Sequence, residues 1–224
     1  MRIDIISAVP KILSSPLNES ILKRAQKNKF VEIFTHDLRN FAHDKHKIID
    51  DTPYGGGAGM ILKPDVIFEA VESLTSERKY DEIIYLSADG EKFNQKMANK
   101  LSLKKNLVFI AGHYKGIDDR VRQKLVTKEI SIGDYVLTGG ELPAMVLVDA
   151  IVRLIPGVIS DGESALTDSF QDDLLDAPNY TRPYEFRKMK VPEILLSGNH
   201  KEIQKWRDEM RRKKTLKLRK DLLK

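Results

Sequence analysis

Three stretches carry residues whose types and spacing could do chemistry: YLSADG (85–90), AGHYKG (111–116) and IGDYVLTGGELP (132–143). Each reads as a turn that follows a strand, with glycine beside a small or aromatic residue. Glycine lets backbone N–H groups approach a ligand closely. The last of the three opens a helix, whose positive end would face whatever sits there. In open parallel sheets, ligands bind outside the carboxyl ends of the strands. Taken singly, each turn is an ordinary strand-to-helix connection. Together they describe a pocket for a nucleoside-like cofactor.

Other constellations carry less. Gly55, Gly56, Gly57 and Gly59 lie in a long polar loop, FAHDKHKIIDDTPYGGGAGM (41–60), and a loop of that length is more often functional than not. The cluster lacks the GK[ST] ending of a P-loop and the spacing of GxGxxG, which argues against nucleotide hydrolysis. His46, Asp50 and Asp51 in the same loop could meet a cation or a base edge, or serve as turn and cap residues. The five histidines show no HExxH spacing, so a catalytic zinc is not expected. No GxSxG elbow is present.

Positioning the three turns falls to alternating strands and helices. Met1–Val9 alternates as a strand, Leu17–Asn28 has helical spacing, and Val31–Phe41 reads as a second strand. A helix is predicted from Pro64, in keeping with proline in a first turn. Glu82–Ser87 is a third strand, Phe93–Leu101 a helix, and Leu107–Gly112 an apolar run typical of a buried parallel strand. Ile117–Leu125 is a short helix and Glu129–Ile132 a fifth strand. The helix that follows is apolar nearly all round and therefore buried all round, one side on its own sheet and another on a second subunit. Asp149 and Arg153 interrupt its apolar coat and share one face at i, i+4. The alternation predicts an α/β domain with a mostly parallel sheet. Ile159–Asp173, polar and acidic, reads as a mobile linker. Two basic helices are predicted after it, at about Lys201–Lys213 and Leu216–Leu223.

At 224 residues the chain is long enough for one full core and a small appendage. It has no cysteine, which excludes disulfides and thiolate chemistry and fits a reducing compartment. The start, MRIDIISAVP, has no signal-peptide pattern, and no stretch approaches 18 apolar residues, so a secreted or membrane protein is not expected. The net charge of +5 is unevenly placed. Residues 187–224 hold 14 Lys and Arg against 5 Asp and Glu, a net +9, which leaves 24 against 28, or −4, for residues 1–186. The basic end implies a phosphate-binding surface.

The blocks DDTPYGGGAGM, YLSADG, AGHYKGIDDRV, EISIGDYVLTGGELPAMVLVDAIVRLIPGV, DSFQDDLLDAPNYTRP and VPEILLSGNHKEIQKWR run the length of the chain. Through them it resembles the bacterial tRNA (guanine-N1)-methyltransferases of the SPOUT, or trefoil-knot, class. That family methylates the guanine just 3′ of the anticodon in tRNA, using S-adenosyl-L-methionine. The resemblance implies a mostly parallel α/β domain with a C-terminal trefoil knot over residues 1–159, a mobile linker over 160–173, and a small all-α tRNA-binding domain over 174–224. Sequence pattern alone would never propose a knot, because knots are so rare. It also implies a cytoplasmic homodimer with a composite active site, and a divalent cation, Mg2+, whose ligands are not legible in the residues.

Carried over by position, the implied cofactor residues are Tyr85, Leu86 and Ser87; Gly112 and Tyr114; and Ile132, Gly133, Tyr135, Leu137, Gly139, Gly140 and Pro143. Asp168 is similar to the family's general base and Arg153 to its electrophilic partner. His46, Asp50, Gly57 and Gly59 would lie near the target base or the anticodon, and Arg211, Arg212 and Lys213 would grip tRNA. Lys115 and His113 depart from the family pattern, which has an acidic residue and an arginine there. Two other classes stay open: a non-enzymatic RNA-binding protein, and a related knotted enzyme acting on a ribose 2′-OH or another base.

Overall fold

The computed structural model describes residues 1–159 and 168–223. The chain divides into two compact units, residues 1–160 and 161–224.

The first unit is built on a five-stranded sheet. Its strands are β1 (Arg2–Ser7), β2 (Glu32–Asp37), β5 (Glu82–Lys92), β6 (Asn106–Ala111) and β7 (Lys128–Ser131), in the spatial order β2-β1-β6-β5-β7. Every pairing is parallel. The chain therefore returns by crossovers, which carry the helices α1 (Lys11–Leu17), α2 (Ser20–Lys27), α3 (Pro64–Glu77), α4 (Gln95–Ser102) and α5 (Asp119–Lys124), while α6 (Glu141–Val152) follows the last strand of the sheet. Two short strands, β3 (Asp50–Asp51) and β4 (Ile61–Leu62), pair antiparallel across the glycine loop.

Strand alternation sorts the core into two layers. Ile3 and Ile5 of β1 and Leu107 and Phe109 of β6 face a cluster completed by α1, α2, α4 and α6. Ile6, Val108 and Ile110 face the opposite cluster, with α3 and α5. Asn94 starts α4 by accepting the Met97 N–H at 2.9 Å, and Asp118 starts α5 by accepting that of Arg120 at 2.9 Å. Asp4 is the polar exception in β1 and is wholly buried. Burial pushes its carboxyl up, but hydrogen bonds from His36 (2.8 Å), Arg2 (2.8 and 3.0 Å) and Tyr80 (2.7 Å) outweigh that and hold it at about 2.

The structure revises several sequence expectations. Helix α1, absent from the sequence reading, is short and contains Pro16, so its local signal is that of a break. The second strand ends at Asp37, and Leu38–Phe41 turns into a 3-10 helix. Strand β5 does not stop at Ser87. It leaves its pairing with β7 after Leu86 and resumes at Glu91, both residues opposite Ile130. A Cβ on Gly90 would lie 2.5 Å from the Ile130 nitrogen, so glycine is what lets the excursion close against β7.

In the second unit the two predicted basic helices are one, α7 (His200–Leu218), followed by a 3-10 turn at Lys220–Leu223. No glycine or proline lies between Lys213 and Leu218, so nothing local breaks the helix where the sequence reading ended it. This unit is not all-α either: β8 (Glu185–Phe186) and β9 (Met189–Lys190) form a hairpin, turned by Arg187 and Lys188 at φ 51° and 65°. Of the predicted linker, residues 160–167 lie outside the described residues. Within its described part, 168–173, Asp172 pairs with Arg211 of α7 and Ser169 Oγ accepts the Asp176 N–H at 2.9 Å; just beyond it, Leu175 N–H donates to Thr215 Oγ1 and Lys214 Nζ to the Asp176 carbonyl, each at 2.9 Å.

Candidate active site

The cleft forms at the excursion within β5 and at the ends of β6 and β7. The Tyr85–Asp89 turn, the Gly112–Ile117 turn and the Ile130–Gly140 loop line it, with Pro143 at the start of α6. All twelve residues expected to meet a cofactor lie on this one surface. They come from three separate segments of the chain, and three backbone links hold those segments together. The Gly140 N–H donates to the Gly112 carbonyl at 2.7 Å, His113 bridges antiparallel to Gly139, and Phe93 N–H donates to the Ser131 carbonyl at 2.8 Å.

Missing side chains make these approaches possible. A Cβ on Gly140 would lie 2.7 Å from Ala111 Cα and 2.8 Å from Gly112 N, both rigid backbone atoms. A Cβ on Gly112 would lie 2.9 Å from the Tyr85 ring, and one on Gly116 2.9 Å from its hydroxyl. Tyr85 is thus a buried prop beneath the Gly112–Gly116 turn. Burial raises its phenol. Arg122 lies 5.8 Å from its ring centroid, with its guanidinium taken up by both Glu129 oxygens at 2.9 and 2.7 Å. Gly133, at φ +152°, is covered by the Tyr135 ring, which folds back on its own loop. Tyr135, Val136 and Leu137 are exposed apolar groups along the mouth.

The sequence reading missed the carboxylate behind the cleft. Glu141, in the first turn of α6, is 2% exposed and accepts Ser7 Oγ–H at 2.7 Å. His113 Nδ1 is buried 4.0 Å from its other oxygen and has no hydrogen-bond partner among the described residues. An acidic residue amid GGELP was the available signal, but 134 positions separate it from Ser7, and no local pattern links the two.

Outside the cleft the expected residues divide. Gly57 and Gly59 sit on the exposed glycine loop, both at positive φ, with His46 exposed and Asp50 half-buried in β3. The loop's carboxylates serve as caps: Asp44 accepts the N–H groups of His46 and Ile48 at 2.9 Å each. The segment is pinned to the cleft by a parallel bridge between Leu62 and Ile117. Arg153 caps α6, its N–H donating to the Asp149 carbonyl at 3.2 Å. Asp168 is half-buried in the second unit, where the Gln171 N–H reaches its carbonyl at 3.4 Å. Of the basic run, Arg211 is half-buried and paired with Asp172, whereas Arg212 is exposed and Lys213 makes only a surface pair with Glu209 at 2.5 Å. Among the described residues no three His, Cys, Asp or Glu side chains converge as a metal site. No described helix is long and apolar enough to cross a membrane.

A family model described as tRNA (Guanine-1)-methyltransferase TrmD matches residues 1–224. The chain is similar to proteins named tRNA (guanine-N(1)-)-methyltransferase from several bacteria. It is 58% identical to that of Azobacteroides pseudotrichonymphae over 222 residues, 99% of this chain and 100% of the relative. It is 56% identical to that of Bacteroides fragilis over 223 residues, 100% of this chain and 99% of the relative. With that of Chlorobaculum tepidum the identity is 52% over 223 residues, 100% of this chain and 97% of the relative.

Proposed function

This chain belongs to the tRNA (guanine-1)-methyltransferase family, and from that premise we propose that it methylates N1 of the guanine immediately 3′ of the anticodon in tRNA. S-adenosyl-L-methionine is the methyl donor, and it binds in the cleft lined by Tyr85, Gly112 and Gly140. The observation that carries this reading is that three sequence-distant segments share one surface, packed together at glycines whose Cβ atoms would strike backbone at Gly140 and the Tyr85 side chain at Gly112 and Gly116. Such a surface can approach a flat, polar ligand closely and meet it with backbone donors and acceptors.

Bound S-adenosyl-L-methionine supplies a methyl group already activated on a sulfonium. What remains for the protein is in-line positioning and removal of the N1 proton. An aspartate of ordinary pKa, about 3.9, is a weak base for so weak an acid as guanine N1–H. Arg153 offsets this by stabilising negative charge gathering on guanine O6, so that Asp168 accepts a proton from an acidified site. Placing the base on a segment that orders over bound tRNA would keep proton removal for the correct substrate. The Mg2+ implied by the family finds no three-ligand cluster among the described residues.

The working unit is a cytoplasmic homodimer with a composite active site, its first domain knotted. In support, α6 leaves Leu142 and Val146 exposed at 54% and 46% on the stripe that continues to Asp149 and Arg153. Apolar groups of that size beside the proposed electrophile suit a subunit interface. A labelled-methyl assay tests the function. Label must appear at guanine N1 of tRNA, and replacing that guanine by adenine must abolish it. Label on a ribose 2′-OH would instead favour the related knotted class, and no transfer at all would favour a binding protein.

A further inference from the structure

Resting on the reading that this chain acts on tRNA, we infer that Lys115 is a phosphate contact at the rim of the cofactor cleft, aimed at the RNA strand that crosses the glycine loop. Three observations support it.

Lys115 is exposed on the cleft lining, and its ammonium has no carboxylate within 4.0 Å among the described residues. The other cations there are already engaged. Arg122 is held by Glu129, and Arg120, just beyond the turn, by Asp118 at 2.8 Å. An ion pair already made contributes little to an incoming phosphate, whereas an unpaired ammonium offers its full charge.

Its position is set in advance. The Lys115 N–H donates to the Met60 carbonyl at 3.1 Å, and Leu62 N–H to the Gly116 carbonyl at 3.0 Å. The lysine stem then lies across Gly59: a Cβ built there would meet Lys115 Cγ, Cδ and Cε at 3.0, 3.2 and 3.2 Å. Three of its four methylenes thus cover one glycine, and rotamer freedom a free lysine would lose on binding is already spent. Because the last of these carbons sits over Gly59, the ammonium is one bond from the stretch that covers the glycine loop.

That loop is built for close approach. Gly55, Gly56 and Gly57 are exposed at φ +83°, +78° and +108°, with nothing within 4 Å of an added Cβ. Their absent side chains fill no protein contact, and they leave backbone open beside Tyr54, which is fully exposed. Open backbone, an aromatic face and one positioned cation suit a nucleic-acid strand: stacking for a base, charge for the phosphate. A carboxylate, such as that of the cofactor's amino-acid part, shares the anion chemistry, and the S-adenosylhomocysteine titration separates the two sources.

The test uses full-length wild type, K115A and K115R. Each is titrated with tRNA over a salt series, and with S-adenosylhomocysteine by calorimetry. Neutralising one phosphate contact should weaken tRNA binding across tRNA sequences and reduce the magnitude of the log K against log salt slope by about 1. K115R should restore the slope, and S-adenosylhomocysteine affinity should be the same in all three. An unchanged slope in K115A overturns the proposal. So does a loss of S-adenosylhomocysteine affinity with tRNA binding intact, which would move the ammonium to the cofactor. A wild type that transfers no methyl group to tRNA removes the functional reading, and this proposal with it. That failure is seen in the wild-type control before any variant is compared.

Discussion

Gly140 and Gly112 are joined by a backbone hydrogen bond of 2.7 Å, across 28 residues of chain and between two different loops. Gly140 has an ordinary helical φ of −83°, so conformation does not demand glycine there. Space does, because a Cβ would lie within 3.0 Å of three backbone atoms of Ala111 and Gly112. Even Gly140→Ala should therefore part the two loops. The expected outcome is a stability loss of about 1–3 kcal/mol, the usual range for overpacking, together with loss of the melting-temperature rise from S-adenosylhomocysteine. Thermal unfolding with and without that ligand measures both. A full ligand-induced shift in Gly140→Ala would remove this junction from the cofactor site.

Chemistry and binding should separate at the two proposed catalytic side chains. Asp168→Ala and Arg153→Ala are each expected to slow single-turnover methyl transfer by roughly 10²-fold or more, the range for general bases and charge-stabilising donors. Cofactor affinity should stay near wild type in Asp168→Ala, whose carboxylate is assigned to the guanine. Rapid-quench measurement with enzyme in excess reads the chemical step alone. Near-normal rates in Asp168→Ala would end its assignment as the base.

The basic run of α7 should split by residue. Arg212 and Lys213 are exposed, and the double change to Ala is expected to lower the magnitude of the tRNA salt slope by about 2 while leaving the melting temperature unmoved. Arg211 and Lys214 hold Asp172 and the Asp176 carbonyl. Their removal should loosen the 172–177 segment, at a cost of roughly 1 kcal/mol per lost bond. Equal effects from the two pairs would show that the structural division has no bearing on RNA binding.

Asp4 makes the fold sensitive to acid. Its carboxyl is held at about 2, below its ordinary 3.8. A depressed carboxylate contributes stability that is present above the unfolded value and lost as pH falls through the folded one. About 2 kcal/mol should therefore disappear between about pH 4 and pH 2. Tyr80, raised to about 12 by burial and then by its bond to Asp4, has the opposite sign: its contribution holds below its ordinary 10.0 and is lost as pH climbs through 12. Denaturant titrations of wild type and Asp4→Asn across the acid range should converge near pH 2. Parallel curves would place the acid sensitivity elsewhere.

The sequence by itself determined whatever local periodicity can encode. Leu107–Ala111 is apolar without interruption, and it became a wholly buried strand. The apolar coat of Glu141–Val152 announced a buried helix, and Pro143, Ala144, Leu147, Val148, Ile151 and Val152 are buried in the core, whereas Leu142 and Val146 are exposed on the chain by itself. The charge count located the excess of basic residues in 187–224, because charge is additive along a chain and needs no fold to be summed. Tertiary structure decided what depends on contacts between distant positions. It brought Gly112 against Gly140 and made Tyr85 a prop beneath Gly112 and Gly116. It also joined Ser7 to Glu141, carried β5 past its excursion, and settled which of Arg211, Arg212 and Lys213 face outward. A residue's neighbours in sequence fix its backbone preference through sterics and hydration within a turn or two. Which side chain meets it from a hundred residues away is set by how the crossovers pack, and that information is shared across the whole core.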